Sequence, residues 1–408
     1  MEAVIVAAAR TPIGRAVKGS LAGVRPDTLV AGVIESALGQ LPGLDPRTLD
    51  DVYVGCAEPR DEHGGNLARR VAVLLGLDGV PAATVNRFCA SSVQTARMAF
   101  HAIRAGEGHA FVSAGVECVS RYVDFGSAGV DPPSTHHPAF AAAAERSRAT
   151  AEGSPPQPWH DPREDGLLPD VYVTMGQTAE NVAGLCGVSR AEADAFGLRS
   201  QQRAVRAQAD GVFAAEIAPV TLSDGRVVDT DDGPRPGTSA AALAALKPVF
   251  RPDGVVTAGN CCPLNDGAAA VVVMSDVRAA ELGLEPLARI VATGTSALSP
   301  EIMGLGPVEA SRRALARAGM SIGDVDLVEI NEAFAVQVIA SARQLGIAED
   351  RLNVHGGAIA LGHPFGATGA RIMTTLLNAL QRTDAEIGLE TLCVGGGQGM
   401  AVVLQRLR

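Results

Sequence analysis

Val85-Asn-Arg-Phe-Cys-Ala-Ser-Ser-Val-Gln-Thr95 runs from a strand-like approach through a turn of small residues into a helical pattern. The helix predicted over Ser91–Arg104 leads to a strand over His109–Ala114 and then to Gly115-Val-Glu117. Strands separated by crossover helices are the unit of an α/β fold, whose sheet is covered by helices on its faces. The order recurs near the end of the chain. Gly366-Ala-Thr-Gly369 opens a helix over Thr368–Leu380, which leads to a strand over Thr391–Val394 and to Gly395-Gly-Gly397. The recurrence predicts two similar halves, with a chance likeness of two α/β units as the alternative.

Working outward, apolar or β-branched runs predict strands over Ala3–Ala9, Asp51–Gly55, Ala268–Met274, Ala288–Thr293 and Leu327–Ile330. Helices are predicted over Asp27–Leu38, Leu67–Leu75, Pro307–Ala318 and Phe334–Leu345. Together these imply buried, largely parallel sheets with helices on both faces. Residues 121–170 break the alternation with Asp131-Pro-Pro133, His136-His-Pro138, an alanine run and Ser154-Pro-Pro-Gln-Pro158. This excursion continues to about Pro263, with helices near Gln177–Leu185 and Ala191–Gln208. The organisation expected is a first half over 1–120 completed by about 264–286, an inserted loop domain over 121–263, and a second half over 287–408. An insertion beside a sheet is a common way to cap a ligand site.

The 408 residues are 47% apolar and 19% charged, enough to bury a layered core. A net charge of −11 argues against a general nucleic-acid or anionic-membrane surface, while leaving room for a local arginine cluster. No apolar run approaches the roughly 18–20 residues of a membrane span. The opening Met-Glu-Ala-Val-Ile-Val-Ala-Ala-Ala-Arg10 has Glu2 where a signal peptide needs positive charge, so it reads as a buried first strand of a cytoplasmic protein. The seven cysteines are then thiols. They form no Cys-x-x-Cys pair and have no histidine at a ligand-like offset, so no metal site is expected.

Cys89 lies at or just before a helix N-terminus, where unpaired N–H groups and the helix dipole favour a thiolate and can hold an oxyanion. A buried structural cysteine is the competing reading. Asn353-Val-His-Gly-Gly-Ala-Ile-Ala-Leu-Gly-His-Pro-Phe-Gly-Ala-Thr-Gly-Ala-Arg371 is more informative. His363 is fenced by Gly362, Pro364 and Gly366, a rigid turn that suits a general base, or else a turn histidine with a satisfied hydrogen bond. His101, His109, His136, His137 and His160 read as solvated or edge residues. Cys393 closes a strand before Gly395-Gly-Gly-Gln-Gly399, whose bare amides suit an oxyanion hole better than a phosphate, since the P-loop lysine is missing. Asn331, after the strand Leu327–Ile330, can fix a water, polarise a carbonyl, or simply cap a helix.

Cys89, Asn331-Glu-Ala-Phe334, Gly357–Gly369 and Cys393-Val-Gly-Gly-Gly-Gln-Gly399 resemble the thiolase family, in order and over nearly the whole chain. Arg10-Thr-Pro-Ile-Gly14, Met175-Gly-Gln-Thr-Ala-Glu-Asn181, Thr257-Ala-Gly-Asn260 and Asn265-Asp-Gly-Ala-Ala-Ala270 look like further blocks of that family. The resemblance implies a layered αβαβα fold of two related halves with an inserted loop domain, and homodimers or homotetramers. It implies that Cys89, activated by His363, forms an acyl-enzyme from acyl-CoA, and that Cys393 moves the α-proton of acetyl-CoA. One oxyanion hole would be His363 with a water on Asn331; the other, the amides of Cys89 and Gly395. Coenzyme A enters as substrate, with no resident cofactor. Arg235, Met175, Ala258, Cys262, Met303 and Phe334 fall at substrate- or CoA-contacting positions. Cys262 stands where many members have serine, Thr174 where acetoacetyl-forming members often have histidine, and Ala242 replaces a polar CoA contact. These departures favour a degradative 3-ketoacyl role, as in β-oxidation and alongside a hydratase–dehydrogenase partner, over acetoacetyl-CoA chemistry.

Two other readings compete. A decarboxylating ketoacyl synthase of the same superfamily lacks the second catalytic cysteine, so Cys393 counts against it. A catalytically silent CoA- or lipid-binding relative has no need of Cys89, His363 and Cys393 together.

Overall fold

The computed structural model describes residues 1–122, 133–153 and 158–407. Asp131-Pro132 and residues 154–157 of the proline-rich stretches lie outside them. The principal strands are β1 (Ala3–Arg10), β2 (Asp51–Gly55), β3 (Ala82–Val85), β4 (Ala110–Cys118), β5 (Asn265–Ser275), β6 (Ala288–Ala297), β7 (Leu327–Ile330), β8 (Ile387–Val394) and β9 (Gln398–Arg406). The principal helices are α1 (Pro26–Gly39), α2 (Leu67–Leu74), α3 (Ser91–Ala105), α4 (Ala141–Glu152), α5 (Met175–Cys186), α6 (Arg190–Ala209), α7 (Gly306–Ala318), α8 (Ala335–Leu345) and α9 (Thr368–Thr383).

The strands run in the order β7-β8-β9-β6-β1-β5-β4-β2-β3, with the short Gly14–Arg15 strand beside β5. The two ends of this order mirror each other about the β1–β6 seam, which is only two residue pairs long (Val4 with Arg289, Ile5 with Ala288). Even the outermost strand has an echo: Leu352 bridges Val328 of β7 in parallel, as β3 pairs with β2. The expectation of two similar halves therefore has a topological basis.

The expectation of largely parallel sheets is corrected. Among the principal strands, parallel pairing is confined to β2 with β3, β2 with β4, and β7 with β8, while the middle of the order is antiparallel. The reason lies in the connections. Crossover helices return a strand in parallel, whereas the three-residue turn from β8 to β9 can make only a hairpin. β5 follows β4 after the long excursion that carries α4 to α6, and it enters antiparallel to both β4 and β1.

Period-2 alternation divides each strand between two layers. On β5, Val272 and Met274 join α1 and α2 in one core, while Val271 and Val273 face α3 and α9 in another. On β8, Leu392 and Val394 join that second core, while Leu389 and Cys393 turn toward α7 and α8. The stack is thus α1/α2, first half-sheet, α3/α9, second half-sheet, α7/α8: the αβαβα arrangement. The central pair is covered from both sides, and α9 buries 12 of its 16 residues. Its Ile372, Met373, Leu376 and Leu380 are fully inaccessible, each contributing about 1.5–3 kcal/mol of apolar burial.

Both central helices grow out of equivalent 3₁₀ turns, Phe88–Ala90 before α3 and Phe365–Ala367 before α9. Neither helix has a side-chain cap of its own. Instead Ser92 Oγ of α3 accepts the Ala370 N–H of α9 (2.9 Å), so one helix caps the other. The approach is close because Gly115 on β4 has no side chain: a Cβ there would stand 2.1 Å from the Gly366 carbonyl oxygen.

Gly115→Ala should therefore lose about 3 kcal/mol in urea unfolding, the cost of overpacking a rigid backbone contact. Gly184→Ala, at an exposed position of α5 where an added Cβ meets nothing within 4 Å, should gain about 0.5–1 kcal/mol. Equal effects at the two sites would show that the Gly115–Gly366 approach does not constrain the fold.

Candidate active site

The two equivalent turns pack against each other and against the end of β8. Cys89 of the first turn lies near Cys393 at the end of β8, and His363 stands two residues before the second turn. Phe88 adopts a left-handed φ of 43°, which swings the chain into the turn and lifts Cys89 toward the glycine hairpin. Gly396 and Gly397 of that hairpin have φ of 74° and 78°, conformations that favour glycine. Here the sequence reading needs amendment: Gln398 and Gly399 belong to β9, a strand not anticipated, and only Gly395–Gly397 form the turn. The backbone amides of Gly395 and of Cys89 itself lie near the Cys89 sulfur and favour its thiolate.

His363 is 1% exposed and fully satisfied. Gly362 before it has φ of 116° and lies against Asn265, whose Oδ1 accepts the His363 N–H (3.0 Å). Thr368 donates its hydroxyl to the Pro364 carbonyl (3.0 Å), leaving its oxygen to accept from His363 Nδ1 (2.6 Å). That network assigns the ring proton to Nδ1 and leaves Nε2 as the base, with Asn331 Nδ2 donating to it at 3.3 Å. Asn331 is not a helix cap, since α8 begins at Ala335 with Phe334 at its N-cap. Its Oδ1 is buried without a protein partner, and its carbonyl accepts from Gln337 Nε2 (2.6 Å).

Electrostatically the resting site is neutral. Burial pushes the Cys89 thiol up to about 12, against the pull of the two amides on its sulfur, and Glu117 and Glu58 add to the rise. Burial, then the neighbouring Cys89, pushes Cys393 up as well. Burial first and the Arg371 charge second hold His363 down to about 3. Desolvation therefore opposes the thiolate that the helix end and the amides favour. The pair that remains is a thiol and a neutral imidazole, which must exchange a proton as the reaction proceeds.

Cys89 opens onto a cavity lined by Ala57, Glu58, Phe88, Val171, Tyr172, Val173, Met175, Phe365, Gly395 and Gly396. Of the predicted substrate contacts, Met175 and Gly395 lie on this wall. Cys262 donates its N–H to the Ala333 carbonyl and lies close enough to Cys89 and Cys393 for their ionisations to oppose its own. Phe334 meets Phe250 edge-to-face, and Met303 is buried in the same core. Met303, Phe334, Ala258 and Arg235 do not line this cavity. Ala258 and Arg235 are exposed, and partial desolvation followed by the neighbouring Arg15 charge lowers the Arg235 pKa. Of the other histidines, His101, His109, His137 and His160 are exposed, and His136 stacks on Tyr172 at 3.8 Å.

Sequence reasoning missed Thr368, Asn265, Glu117 and the aromatic wall of Phe88, Tyr172 and Phe365. Thr368 carried a signal, five residues after His363 at the start of a predicted helix. Glu117 carried one too, as a lone carboxylate at the end of an apolar strand. It is fully buried and accepts from Ala57 N (2.8 Å), Gly366 N (2.9 Å) and Tyr122 Oη (2.7 Å). Among the described residues no cluster of His, Cys, Asp or Glu is arranged to hold a metal ion, and no helix is long and apolar enough to cross a membrane.

A cavity-wall thiol with backbone amides near its sulfur, a second thiol close by and a buried neutral histidine make a site suited to covalent thiol chemistry. The comparisons with known proteins specify it further. The thiolase N-terminal domain matches residues 3–277, and the thiolase C-terminal domain matches residues 284–406. The chain belongs to the thiolase family. It is 41% identical to a 3-ketoacyl-CoA thiolase of Bacillus subtilis (strain 168), covering 99% of each chain. It is 43% identical to a beta-ketoadipyl-CoA thiolase of Escherichia coli, covering 100% of each. Among solved structures, a Bacillus anthracis acetyl-CoA acetyltransferase superposes with a TM-score of 0.86 at 37% identity, over 100% of this chain and 99% of that one. Human mitochondrial 3-ketoacyl-CoA thiolase gives 0.85 at 35%, with the same coverage.

The electrostatics predict a flat acid side for acylation. With His363 held near 3, kcat/KM should not fall between about pH 8 and about pH 5. An inflection near the ordinary histidine value of 6.5 would show that His363 titrates as an exposed imidazole.

Proposed function

We propose that this thiolase cleaves a 3-ketoacyl-CoA with coenzyme A to acetyl-CoA and a shortened acyl-CoA, and runs the Claisen condensation in reverse, through an acyl-enzyme on Cys89. The observation that carries the reading is Cys89 on a cavity wall together with Gly395, with Cys393 near its sulfur. In the cleavage direction His363 Nε2 takes the Cys89 proton as the sulfur attacks the keto carbon. The bond between the keto carbon and the α-carbon then breaks, and the α-carbon takes a proton from Cys393 to leave as acetyl-CoA. The thiol of an incoming coenzyme A gives its proton to the Cys393 thiolate and attacks the acyl group. His363 returns its proton to the departing Cys89, so both thiols are restored.

The amides of Cys89 and Gly395 stabilise the oxyanion of the acyl-enzyme steps, where charge develops. His363 serves the thioester carbonyl together with a water held by the otherwise unpartnered Asn331 Oδ1. Arg235, near Arg15, is suited to the phosphates of coenzyme A, with Ala258, Cys262, Met303 and Phe334 along its route. Residues 121–263 act as the cap on that route. The degradative direction, as in β-oxidation, is favoured by Thr174 in place of a histidine, although the named relatives also include beta-ketoadipyl-CoA thiolases. Cytoplasmic residence and a homodimer or homotetramer complete the reading. Cys393 beside Cys89 argues against a decarboxylating synthase or a silent binding protein.

Incubation with acetyl-CoA should add one acetyl group to the wild-type chain in intact mass spectrometry. Cys89→Ala should abolish the adduct and reduce turnover by on the order of 10⁴-fold or more. Cys393→Ala should still acylate, yet fail to exchange the α-protons of acetyl-CoA with solvent. An adduct that survives in Cys89→Ala sinks the nucleophile assignment.

A further inference from the structure

We infer that Arg87 and Gln398 act as a positioning pair, holding the glycine hairpin against the turn that bears Cys89 and so fixing the oxyanion contact of the Gly395 amide. The inference rests on the thiolase reading above and deepens its account of that site. Gly395, Gly396 and Gly397 carry no side chains, and Gly396 and Gly397 take φ of 74° and 78°. Glycine loses more conformational freedom on ordering than any other residue. A turn of three glycines keeps one geometry only where outside groups hold it. At its far end the Gly397 carbonyl accepts from the Leu298 N–H (2.8 Å). At its near end the Gly395 carbonyl accepts from Gln398 Nε2 (3.3 Å).

Gln398 is itself held from the other half of the chain. Its Oε1 accepts from Nη1 of Arg87 (2.9 Å), a residue 311 positions earlier. Arg87 Nε donates to Gln94 Oε1 of α3 (3.0 Å). Both acceptors are neutral amide oxygens, and a charged donor makes each bond about twice as strong as a neutral one would. The Arg87 backbone is equally fixed. Its N–H donates to Ser91 Oγ (2.9 Å), and the Ser91 hydroxyl donates to the Phe88 carbonyl (2.6 Å), all within the turn around Cys89. The Phe88 ring lies against the same hairpin: a Cβ added to Gly395 would stand 3.5 Å from it. Ring contact has no direction and cannot set the angle of a carbonyl, whereas the relay from Arg87 through Gln398 can. The carbonyl and the N–H of Gly395 share one α-carbon, so a bond that fixes the first restricts the second. Gly395 and Cys89 share one cavity wall, and neither Arg87 nor Gln398 lines it, so both act through Gly395 and not on substrate.

The test follows formation of the acetyl-enzyme over a range of acetyl-CoA concentrations, giving a maximal rate and a half-saturating concentration. It compares the wild-type enzyme with Arg87→Ala, Gln398→Met and the double variant, and records the urea midpoint of each. Each single variant should lose about tenfold or more in maximal rate, the scale of a misplaced transition-state donor, with half-saturation within about twofold. The double variant should be no slower than the slower single one, since either change breaks the same relay. Guanidinium ion below denaturing concentration should speed Arg87→Ala severalfold and leave the double variant unchanged. Losses that multiply in the double variant overturn the inference, as does a Gln398→Met enzyme with the wild-type rate. A loss that guanidinium does not reverse and that tracks a lower urea midpoint overturns it too, by assigning the pair a purely structural role. A wild-type enzyme that forms no acetyl adduct would instead overturn the thiolase reading itself, which keeps the two failures distinct.

Discussion

The Glu117 carboxylate is the point on which the two halves of this molecule are fixed to each other. It sits at the end of β4 with no exposure to water, and a buried carboxylate is costly unless donors surround it. Three of its donors come from different parts of the chain: Ala57 after β2, Tyr122 beyond β4, and Gly366 in the turn that follows His363. Ala57 belongs to the first half of the repeat, Tyr122 to the start of the insertion and Gly366 to the second half. The bond to Gly366 is made where Gly115 lets the second-half turn lie directly on β4. Weakening that carboxylate would loosen the loop that carries Glu58, the turn that orients His363 and the seat of α9 together. A side chain that touches no substrate thereby governs how the substrate-facing groups stand relative to one another.

Around that anchor the site withholds charge until it is needed. Cys89 and Cys393 are pushed up by burial and His363 is pulled down, so no ion pair has to be disrupted when an acyl thioester arrives. The charged forms arise as bonds change, and the amides of Cys89 and Gly395 are already in place to receive them. Fixed dipoles that need no reorganisation favour the transition state more than the resting state. Arg371 reinforces the arrangement: itself buried in α9, it disfavours a protonated His363.

Much of the fold was legible in the sequence because period and composition are local. β2 and β7 fall on the predicted residues, and the helices start within two residues of their predicted starts. What local pattern does not record is how strands pair, so the antiparallel middle of the sheet was not foreseen. β9 was hidden for a related reason: its first residues, Gln398 and Gly399, read as the tail of a glycine loop, while Gly399 is in fact a strand residue pressed against Gly306. In the site, Cys89, His363 and Cys393 stood out by their small neighbours. Glu117 and Asn265 did not, because their partners lie roughly sixty to two hundred and fifty residues away in sequence. Helix-end reasoning at Cys89 gave its position before α3, while the burial that opposes its ionisation is a property of the fold rather than of the turn.

The internal repeat accounts for where the chemistry lies. The turns Phe88–Ala90 and Phe365–Ala367 are structural equivalents, each launching a helix of the shared central layer. A repeat of this kind brings its equivalent turns face to face at the seam, and only there can one half's helix start be completed by the other. The Ser92 hydroxyl capping Ala370 is that completion in one bond. The proposed nucleophile and base are therefore drawn from corresponding places in the two halves: Cys89 within the first turn, His363 at the entry to the second. Neither half holds both, and the mutual packing of α3 and α9 fixes their relative position more firmly than either turn alone. The insertion between β4 and β5 then brings Val171, Tyr172, Val173 and Met175 over the seam, so the acyl wall is added to a site whose reactive groups the repeat has already assembled.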